Sequence, residues 1–420
     1  MREMKDSGIA WIGAMPRAWK MNTIAQIFLQ VKCKNTGLQE KNLLSLSYGK
    51  VKRKSIDTVE GLLPESFDGY NIIEKDDIVL RLTDLQNDHT SLRVGLAEER
   101  GIITSAYLTI RNRSNFCPKY LYYYLHSFDI AKGFYGMGAG VRQGLNWDGV
   151  KWLKILAPSA PEQERIAVFL DAECAEIDAV LEKTRASIEE YKKLKQAVIT
   201  QAVTKGIRGD RPMKDSGIEW IGEIPAEWDV LKLVAHTSML TPMRDRPEKL
   251  DGPIPWVRIE DFEGKYIESS KAGLGVSMKT VKEMNLKVYP VGTILCTSSC
   301  IMGKCAIVSR ELVSNQRFIG IIPDRTTDKT YLYYLMTSNA ERMNFLSTGA
   351  LQANLSRSAF EHLKVQFPPY SEQQEIVAYL DDKCEKIDAL IAKKQQYITE
   401  IENYKKSLIC EYVTGKKEVV

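Results

Sequence analysis

Three short stretches of the 420-residue sequence contain residue types that could support catalysis. Phe134-x-Gly136-x-Gly138 is similar to a methyltransferase cofactor loop, but it follows a predicted helix rather than a strand. Pro368-Pro369-Tyr370 is similar to the end of an amino-methylation motif, yet Phe367 replaces the acid or amide that would hold the amino group. Asp251 with Glu263-x-Lys265 loosely fits a nuclease pattern. Patterns this short match by chance, so we expect no catalytic residues.

Metal and phosphate chemistry have little support in the sequence. Cys296, Cys300 and Cys305 form the one cluster among eight cysteines, and none of the four histidines is near them, so we expect no metal site. There is no G-x-x-x-x-G-K-[ST] phosphate loop. The start of the chain is not that of a signal peptide, and no apolar run could span a membrane, so we expect a cytoplasmic protein with reduced thiols.

A set of motifs occurs twice, about 210 residues apart, and the halves barely match between these motifs. This spacing is too long for a solenoid repeat and indicates a domain duplication. The repeated stretches are Met4–Ile9, Trp11–Gly13, Pro16, Trp19, Tyr120–Tyr123, Glu162-Gln163, Leu170-Asp171 and Ile177-Asp178, which return as Met213–Ile218, Trp220–Gly222, Pro225, Trp228, Tyr331–Tyr334, Glu372-Gln373, Leu380-Asp381 and Ile387-Asp388.

Each half begins with a mixed region of about 150 residues, in which short β-branched or apolar runs alternate with turn residues and a tyrosine-rich helix. The runs predict strands at Ile78–Leu82, Ile102–Ile110, Thr293–Cys296 and Ile319–Ile322. The sequence therefore predicts an α+β fold. We expect two mixed α/β domains at 1–157 and 213–367, and two helical spacers at 158–212 and 368–420.

Residues 162–205 and 370–414 contain no glycine or proline, so each predicts one very long helix. Gly206 and Gly415 provide the stops. A helix of ~40 residues is ~60 Å long, well beyond one domain of this size, which favours a helical partner. Apolar residues at mostly three, four and seven spacings predict a coiled-coil seam at Ile177, Leu181, Ile188, Tyr191, Val198, Ile387, Ile391, Ile398, Ile401 and Leu408.

Both predicted helices are acidic in their first half and more basic in their second. An antiparallel pair brings these opposite charges together, whereas a parallel pair would match like charges. We therefore expect two antiparallel helices that join the two domains about a pseudo-twofold axis, with one domain at each end.

The net charge is only +4, but the surplus of Lys and Arg lies in the mixed regions, with 19 bases and 14 acids at 20–157 and 18 bases and 14 acids at 229–368. This distribution is typical of domains that contact phosphates. Arg, Gln and Asn in the two glycine-rich loops, Gly136–Gly144 and Gly349–Asn354, can read base edges. The candidate DNA-binding residues are Lys52, Arg53, Lys54, Arg81, Thr83, Arg111, Arg113, Arg142, Gln143, Arg244, Arg246, Ser298, Lys304, Arg317, Gln352 and Asn354.

Over nearly its whole length the sequence resembles the specificity (S) subunits of type I restriction–modification systems. The resemblance rests on the doubled S-G-I-x-W-I-G…P…W motif, the G-x-x-x-Q loop, the Glu-Gln and Leu-Asp…Ile-Asp residues of each long helix, and Thr200–Gly206. It implies two target recognition domains, each reading half of a split double-stranded DNA site. The helices would act as spacer and as docking surface for two modification (methyltransferase) subunits.

The resemblance further implies that this chain binds no cofactor and has no active site. The partner methyltransferase subunits would supply S-adenosylmethionine, and added restriction subunits would translocate and cleave DNA. Two alternatives differ in class: a two-headed DNA-binding scaffold or transcriptional regulator without enzyme partners, and a self-contained methyltransferase, for which 134–138 is the only support.

Overall fold

The computed structural model describes residues 2–54, 67–88, 90–137, 144–243, 245–299, 302–346 and 355–419. It divides into two compact units, the first made of residues 1–185 and 396–420 and the second of residues 186–395. Each unit thus combines one sheet-rich domain with part of each of two long helices.

The first unit is built around a four-stranded antiparallel sheet in the order Phe28–Gln30, Leu108–Asn112, Ile78–Leu80 and Val94–Leu96. Ile78, Val79 and Leu80 are all fully buried, as expected for a central strand that is covered on both faces. Four further antiparallel pairs are Met4–Asp6 with Ala14–Pro16, Leu44–Ser47 with Lys50–Arg53, Asn71–Ile73 with Gly101–Ile103, and Lys20–Thr23 with Lys154–Ala157.

The shorter helices of the first unit are Ile24–Ile27, Pro118–Ile130 and Trp147–Val150. Pro118–Ile130 is the predicted tyrosine-rich helix, and Pro118 occupies its first turn, where the missing N–H has no intrahelical partner. The buried Tyr120 hydroxyl donates to the Leu156 carbonyl at 3.0 Å, which ties this helix to the strand that precedes the first long helix.

The second unit has a five-stranded sheet in the order Thr237–Leu240, Phe318–Pro323, Ile294–Thr297, Cys305–Val308 and Tyr266–Ile267. A three-stranded sheet orders Gly275–Val276, Ile254–Val257 and Val313–Ser314, and two pairs join Met213–Asp215 to Glu223–Pro225 and Asp229–Lys232 to Lys364–Phe367. Its shorter α-helices are Met278–Glu283, Lys329–Ser338, Ala340–Leu346 and Arg357–Glu361, with 3₁₀ turns at Leu233–Ala235 and Ile259–Asp261.

The mixed α/β class predicted from the sequence is confirmed in both units, but one predicted run is interrupted. Residues 102–110 form two strands, Gly101–Ile103 and Leu108–Asn112, which pair with different partners. Between them the Tyr107 N–H donates to the Thr104 carbonyl at 3.2 Å. A turn of Ser and Ala without glycine or proline carries no strong sequence signal, so the prediction missed it.

The first long helix spans Ala160–Lys205 and the second spans Tyr370–Val413, which confirms both predicted helices. Gly206 and Gly415 follow them with φ of 72° and 73°, the left-handed geometry that ends helices. Within the described ranges, no helix combines the length and apolarity that crossing a bilayer requires.

The long helices pair antiparallel in each unit. In the first unit, Lys405 Nζ lies 2.6 Å from Asp178 Oδ1, Arg185 Nη2 lies 2.6 Å from Glu402 Oε1, and the Phe169 and Tyr412 rings are 4.5 Å apart. In these contacts, the residue numbers increase along one helix as they decrease along the other, so the helices run antiparallel. The basic second half of one helix therefore meets the acidic first half of its partner.

The second unit repeats this arrangement with other residues. Lys195 Nζ lies 2.7 Å from Asp388 Oδ2, and Lys394 Nζ lies 5.6 Å from the centre of the Tyr191 ring. Ile199, Ala202 and Val203 of the first long helix share one buried cluster with Ile376 and Leu380 of the second. The predicted antiparallel direction is thus confirmed within each unit.

The ten seam residues differ in exposure. Ile177, Leu181, Ile188, Ile387, Ile398 and Leu408 are buried, whereas Tyr191, Val198, Ile391 and Ile401 are half-buried. The half-buried positions lie where the predicted seam is interrupted by polar residues, such as Lys394. The seam assignment itself stays a prediction.

A repeated side-chain clamp holds the start of each long helix to its domain. In the second unit, the Trp228 indole N–H donates to Glu372 Oε2 at 2.9 Å and Arg211 Nη1 lies 2.5 Å from Glu372 Oε1. In the first unit, Trp19 donates to Glu162 at 3.0 Å and Arg2 lies 2.7 Å from Glu162. The doubled tryptophan and glutamate motifs therefore have the same structural role in both halves.

The glutamine of each Glu-Gln motif joins two helix starts. Gln163 accepts a hydrogen bond from the Cys117 N–H at 2.9 Å and donates to the Pro158 carbonyl at 3.0 Å. Gln373 accepts from the Asp328 N–H at 2.8 Å and donates to the Pro368 carbonyl at 2.9 Å. Each amide thus satisfies buried backbone groups where the tyrosine-rich helix and the long helix begin.

We expect Glu372→Ala to destabilise the second unit by about 3 kcal/mol, because the buried Arg211 guanidinium then keeps, among the described carboxylates, only its 3.5 Å ion pair with the exposed Glu227. Glu372 and Arg211 side chains are 3% and 10% exposed, against 16% and 20% for Glu162 and Arg2. Glu162→Ala is therefore the matched control, with an expected cost of about 1 kcal/mol. Urea unfolding measures both, and equal costs would contradict this difference in burial.

His126 in the tyrosine-rich helix provides a test of pH dependence. Burial, with a smaller contribution from Lys405, lowers the pKa of His126 from 6.5 to about 4. Its Nδ1 atom has no hydrogen-bond partner among the described residues, and its ring stacks on Tyr122 with the ring centres 5.5 Å apart. The folded state therefore favours the neutral ring, and this contribution to stability is lost as the pH falls from about 6.5 towards 4.

We expect the variant His126→Gln to lack the loss of stability that protonation of His126 causes at low pH. Between pH 7 and pH 4, the free energy of unfolding of the wild type should fall by up to about 3 kcal/mol more than that of the variant. Urea unfolding at a series of pH values measures the difference. Parallel pH profiles for the two proteins would show that His126 is not buried in its neutral form.

Candidate nucleic-acid interface

Two loops that differ in sequence are attached at equivalent points of the two domains. The Leu145 N–H donates to the Leu82 carbonyl at 2.9 Å, and the Leu355 N–H donates to the Ser298 carbonyl at 2.9 Å. Leu82 and Ser298 each lie two residues after the corresponding positions of the central strands, Leu80 and Cys296. In each domain, a residue just after the central strand is thus hydrogen-bonded to the residue that follows the glycine-rich loop. We call each of these two backbone hydrogen bonds an anchor.

Five candidate contacts lie outside the described residues. These candidates are Arg142, Gln143, Arg244, Gln352 and Asn354. All except Arg244 belong to the two glycine-rich loops. Their role in binding stays a prediction.

In the first unit, Arg81 and Thr83 lie beside the anchored loop end. Arg81 is half-buried, with Nη2 3.4 Å from Asp88 Oδ2, and its N–H donates to the Arg93 carbonyl at 2.9 Å. Thr83 is exposed and flanks Leu82. Both candidates therefore lie next to Leu82, the residue to which Leu145 is bonded.

A second group of candidates lies on the hairpin of Leu44–Ser47 and Lys50–Arg53. Lys52 is exposed, and Lys54 is half-buried. Arg53 is paired with Glu99, with Nε 2.6 Å from Oε1, and this bond raises the pKa of Arg53 above its ordinary value. Lys52 is the candidate in this group with an exposed side chain and no carboxylate bond to a described residue.

Arg111 lies in the strand Leu108–Asn112 and Arg113 follows it, and both side chains bond protein atoms. Arg111 makes a two-pronged bond to the buried Asp77, with distances of 2.8 and 2.7 Å, and this bond raises the pKa of the guanidinium. Arg113 Nη2 donates to the Ala25 carbonyl at 2.5 Å. The structure therefore gives both arginines an intramolecular role in addition to the predicted DNA contact.

In the second unit, the anchor brings three candidates near one another. The Ser298 N–H donates to the Arg317 carbonyl at 2.8 Å, and Ser298 itself is 8% exposed. Arg317 and Lys304 are exposed, and Lys304 Nζ is 3.3 Å from the Ile259 carbonyl. Arg246 is also exposed, on the segment after the strand Thr237–Leu240. Lys304, Arg317 and Ser298 are thus joined with the end of the loop of 347–354.

Sequence reasoning missed Arg93, which is fully buried beside the first anchor. Its N–H donates to Asp129 Oδ2 at 2.6 Å, and burial raises the pKa of Asp129 to about 6 although Arg93 opposes the shift. A lone arginine before a strand looks like any surface cation in the sequence. No sequence signal distinguishes its buried position.

Residues of the short motifs that suggested catalysis are engaged in packing, in a helix start and in an ion pair. Phe134 is fully buried against Phe128, with the ring centres 4.8 Å apart, and Tyr370 begins the second long helix. Lys265 Nζ lies 2.6 Å from Asp381 Oδ1. Among the residues that the structure describes, no group of three or more His, Cys, Asp or Glu side chains could hold a metal ion.

Comparison with known proteins gives matches over the whole chain. A family model for the type I restriction modification DNA specificity domain matches residues 229–402. The MjaIX type I restriction enzyme specificity subunit of Methanocaldococcus jannaschii is 36% identical over 191 residues, which is 43% of each chain. The putative MjaX specificity subunit of the same organism is 25% identical over 426 residues, which covers 97% of this chain and 96% of the relative.

Solved structures show the same fold. A chain from a study of complex assembly and conformational transition of the type I R-M system has a TM-score of 0.72 at 14% identity, covering 95% of this chain and 98% of that one. The HsdS subunit from Thermoanaerobacter tengcongensis has a TM-score of 0.50 at 14% identity, covering 96% and 98%. Together these comparisons show that residues 229–402 match the type I restriction modification DNA specificity domain, and that the chain is similar over nearly its whole length to a type I restriction enzyme specificity subunit.

Proposed function

We propose that this chain selects the DNA site of a type I restriction–modification complex, with each sheet-rich domain reading one half of a bipartite sequence. The observation that carries the proposal is the repeated anchor, Leu145 to Leu82 and Leu355 to Ser298. An equivalent attachment with unlike loops is the arrangement expected of two readers with different target sequences.

Exposed cations in both domains support this proposal. Lys52, Lys304, Arg246 and Arg317 have exposed side chains in domains with a surplus of positive charge. Phosphate contacts of this kind fix the register on the duplex, whereas base-edge contacts carry the sequence information. We assign base reading to the glycine-rich loops, whose Arg142, Gln143, Gln352 and Asn354 can form bidentate bonds with purine edges.

We further propose that the long helices set the distance between the half-sites and bind two methyltransferase subunits. The first long helix has 46 residues, which corresponds to a length of ~69 Å. Half-sites one turn of duplex apart are separated by ~35 Å. Both helices leave large apolar side chains exposed, including Val168, Leu194, Leu390 and Tyr404, as expected of a docking surface.

On this proposal the chain is not an enzyme. The methyltransferase subunits supply S-adenosylmethionine and flip the target adenine out of the duplex, and restriction subunits add translocation and cleavage in the cytoplasm. Purification of the tagged chain from its cells tests this division of labour. Methyltransferase subunits should co-purify, and a chain that binds DNA without them would instead be a two-headed scaffold or regulator.

Arg142→Ala should weaken recognition of one half-site only, by ~1–3 kcal/mol, because a bidentate contact to a base edge is lost. Asn354→Ala is the matched variant in the other domain and should affect the opposite half-site. The measurement is competition binding by the methyltransferase complex, with DNA altered in either half of the methylated motif. An equal loss on all DNA sequences would make Arg142 a phosphate contact.

Lengthening both helices should lengthen the recognised spacer. Seven residues inserted after Arg185 and seven before Glu402, which are paired positions, add two helical turns, or ~10 Å, equivalent to ~3 base pairs. Sequencing of methylated adenines in cells that carry the complex reports the spacer. The control is a seven-residue insertion after Gly209, outside the helices. An unchanged spacer in the lengthened variant, with methylation retained, would exclude the helices as the ruler.

A further inference from the structure

Arg93 is fully buried and its guanidinium binds the backbone of the segment that precedes it. Nη1 donates to the carbonyls of Thr83 and Arg81 at 2.8 and 3.1 Å, and Nη2 donates to those of Asp88 and Asp84 at 2.5 and 3.3 Å. Four carbonyls between residues 81 and 88 therefore converge on one side chain. Among the described residues, no other side chain bonds all four carbonyls together, so the conformation of this segment depends on Arg93.

The same guanidinium contacts the beginning of the glycine-rich segment. Arg93 Nε lies 3.2 Å from the Tyr135 hydroxyl, and the guanidinium stacks on the Tyr135 ring with its carbon 4.9 Å from the ring centre. Tyr135 immediately precedes Gly136. At the other end of that segment, Leu145 is bonded to Leu82, within the stretch that Arg93 holds. Both flanks of the loop of 138–143 are thus connected to residues 81–88.

Burying this cation is costly unless its hydrogen bonds and charge are satisfied. The carboxylate of Asp129 accepts from the Arg93 N–H, but its other oxygen has no partner in the described structure, and burial raises the pKa of Asp129 to about 6. Hydrogen bonds from Ser91, with a smaller contribution from Arg93, lower the pKa of Asp88. The buried charged groups Arg93 and Asp129 therefore lie beneath residues 81–91, although burying charge is energetically unfavourable.

The second domain has a different residue and a different connection at the corresponding place. Cys305 pairs with Cys296 as Val94 pairs with Leu80, so Lys304 is the counterpart of Arg93. Lys304 is exposed, and the connection it ends, residues 298–304, is shorter than residues 81–93. An inward-pointing arginine is therefore particular to the first domain and is not required by the shared framework.

We propose that Arg93 is a positioning residue for sequence recognition by the first domain: it holds residues 81–88 and the flank of the glycine-rich loop as one reading surface. This inference rests on the proposed function. Arg93 itself lies beneath that surface and does not contact DNA. Its effect on recognition comes from the placement of Arg81 and Thr83, beside the point where Leu145 is bonded to Leu82.

The test uses the full chain in its methyltransferase complex. Arg93→Met keeps an unbranched apolar stem but removes the guanidinium with all five donors. We expect discrimination against single-base changes in one half-site to fall at least tenfold, with discrimination in the other half-site unchanged. Competition binding and sequencing of methylated adenines both report this selective loss.

Tyr135→Phe is a milder variant, since it removes the bond to Nε and keeps the ring under the guanidinium. It should relax the same half-site by a smaller factor, and it keeps the inference testable if Arg93→Met fails to fold. Lys304→Met is the matched control and should leave the half-site affected by Arg93 unchanged. Arg93→Lys, which keeps the charge but not the planar fork, should restore recognition only in part.

Three results would overturn the inference: unchanged discrimination in a folded Arg93→Met complex, equal loss at both half-sites, or unchanged discrimination in Tyr135→Phe when Arg93→Met does not fold. Failure of the proposed function has a different signature. The wild-type complex would then give no bipartite methylated motif at all, whichever residue is present at position 93.

Discussion

The packing of two long antiparallel helices is the constraint on which the rest of the structure depends. A single helix of 46 residues cannot bury its apolar face on one small domain, so each helix requires a partner of similar length. The charges of the two helices are complementary in this antiparallel packing, because Lys405 pairs with Asp178 in one unit and Lys195 pairs with Asp388 in the other. As a result, each compact unit contains residues that are far apart in the sequence, and residues 396–420 fold with the first domain.

Many of the residues repeated in the two halves attach the start of a long helix to its sheet-rich domain. Trp19 with Glu162 and Trp228 with Glu372 form the same clamp, and Gln163 and Gln373 satisfy the same kind of backbone groups. The residues that match between the halves are thus largely those that attach helices to domains. The residues that differ lie in the sheets and loops, where a change alters recognition without detaching a helix.

The sequence was sufficient to predict the elements with strong periodicity or punctuation, namely the long helices, their glycine stops, the tyrosine-rich helix and the antiparallel direction. It was insufficient where the outcome depends on contacts between distant residues. The turn at 104–107 has no glycine or proline, and Arg111 pairs with Asp77 across a sheet that periodicity cannot specify. Arg93 was missed for the same reason, because a charge is expected on the surface unless its partners are known.

The two domains illustrate how a common framework permits different recognition surfaces. In both, the end of the glycine-rich loop is bonded to the backbone at Leu82 or Ser298, each two residues after the equivalent central-strand positions Leu80 and Cys296. A backbone bond does not depend on side-chain identity, so it tolerates divergence of the loops. The connection between the adjacent strands is then free to differ, with a buried Arg93 in one domain and an exposed Lys304 in the other. The attachment point is therefore shared, and the surface it supports is set separately in each domain.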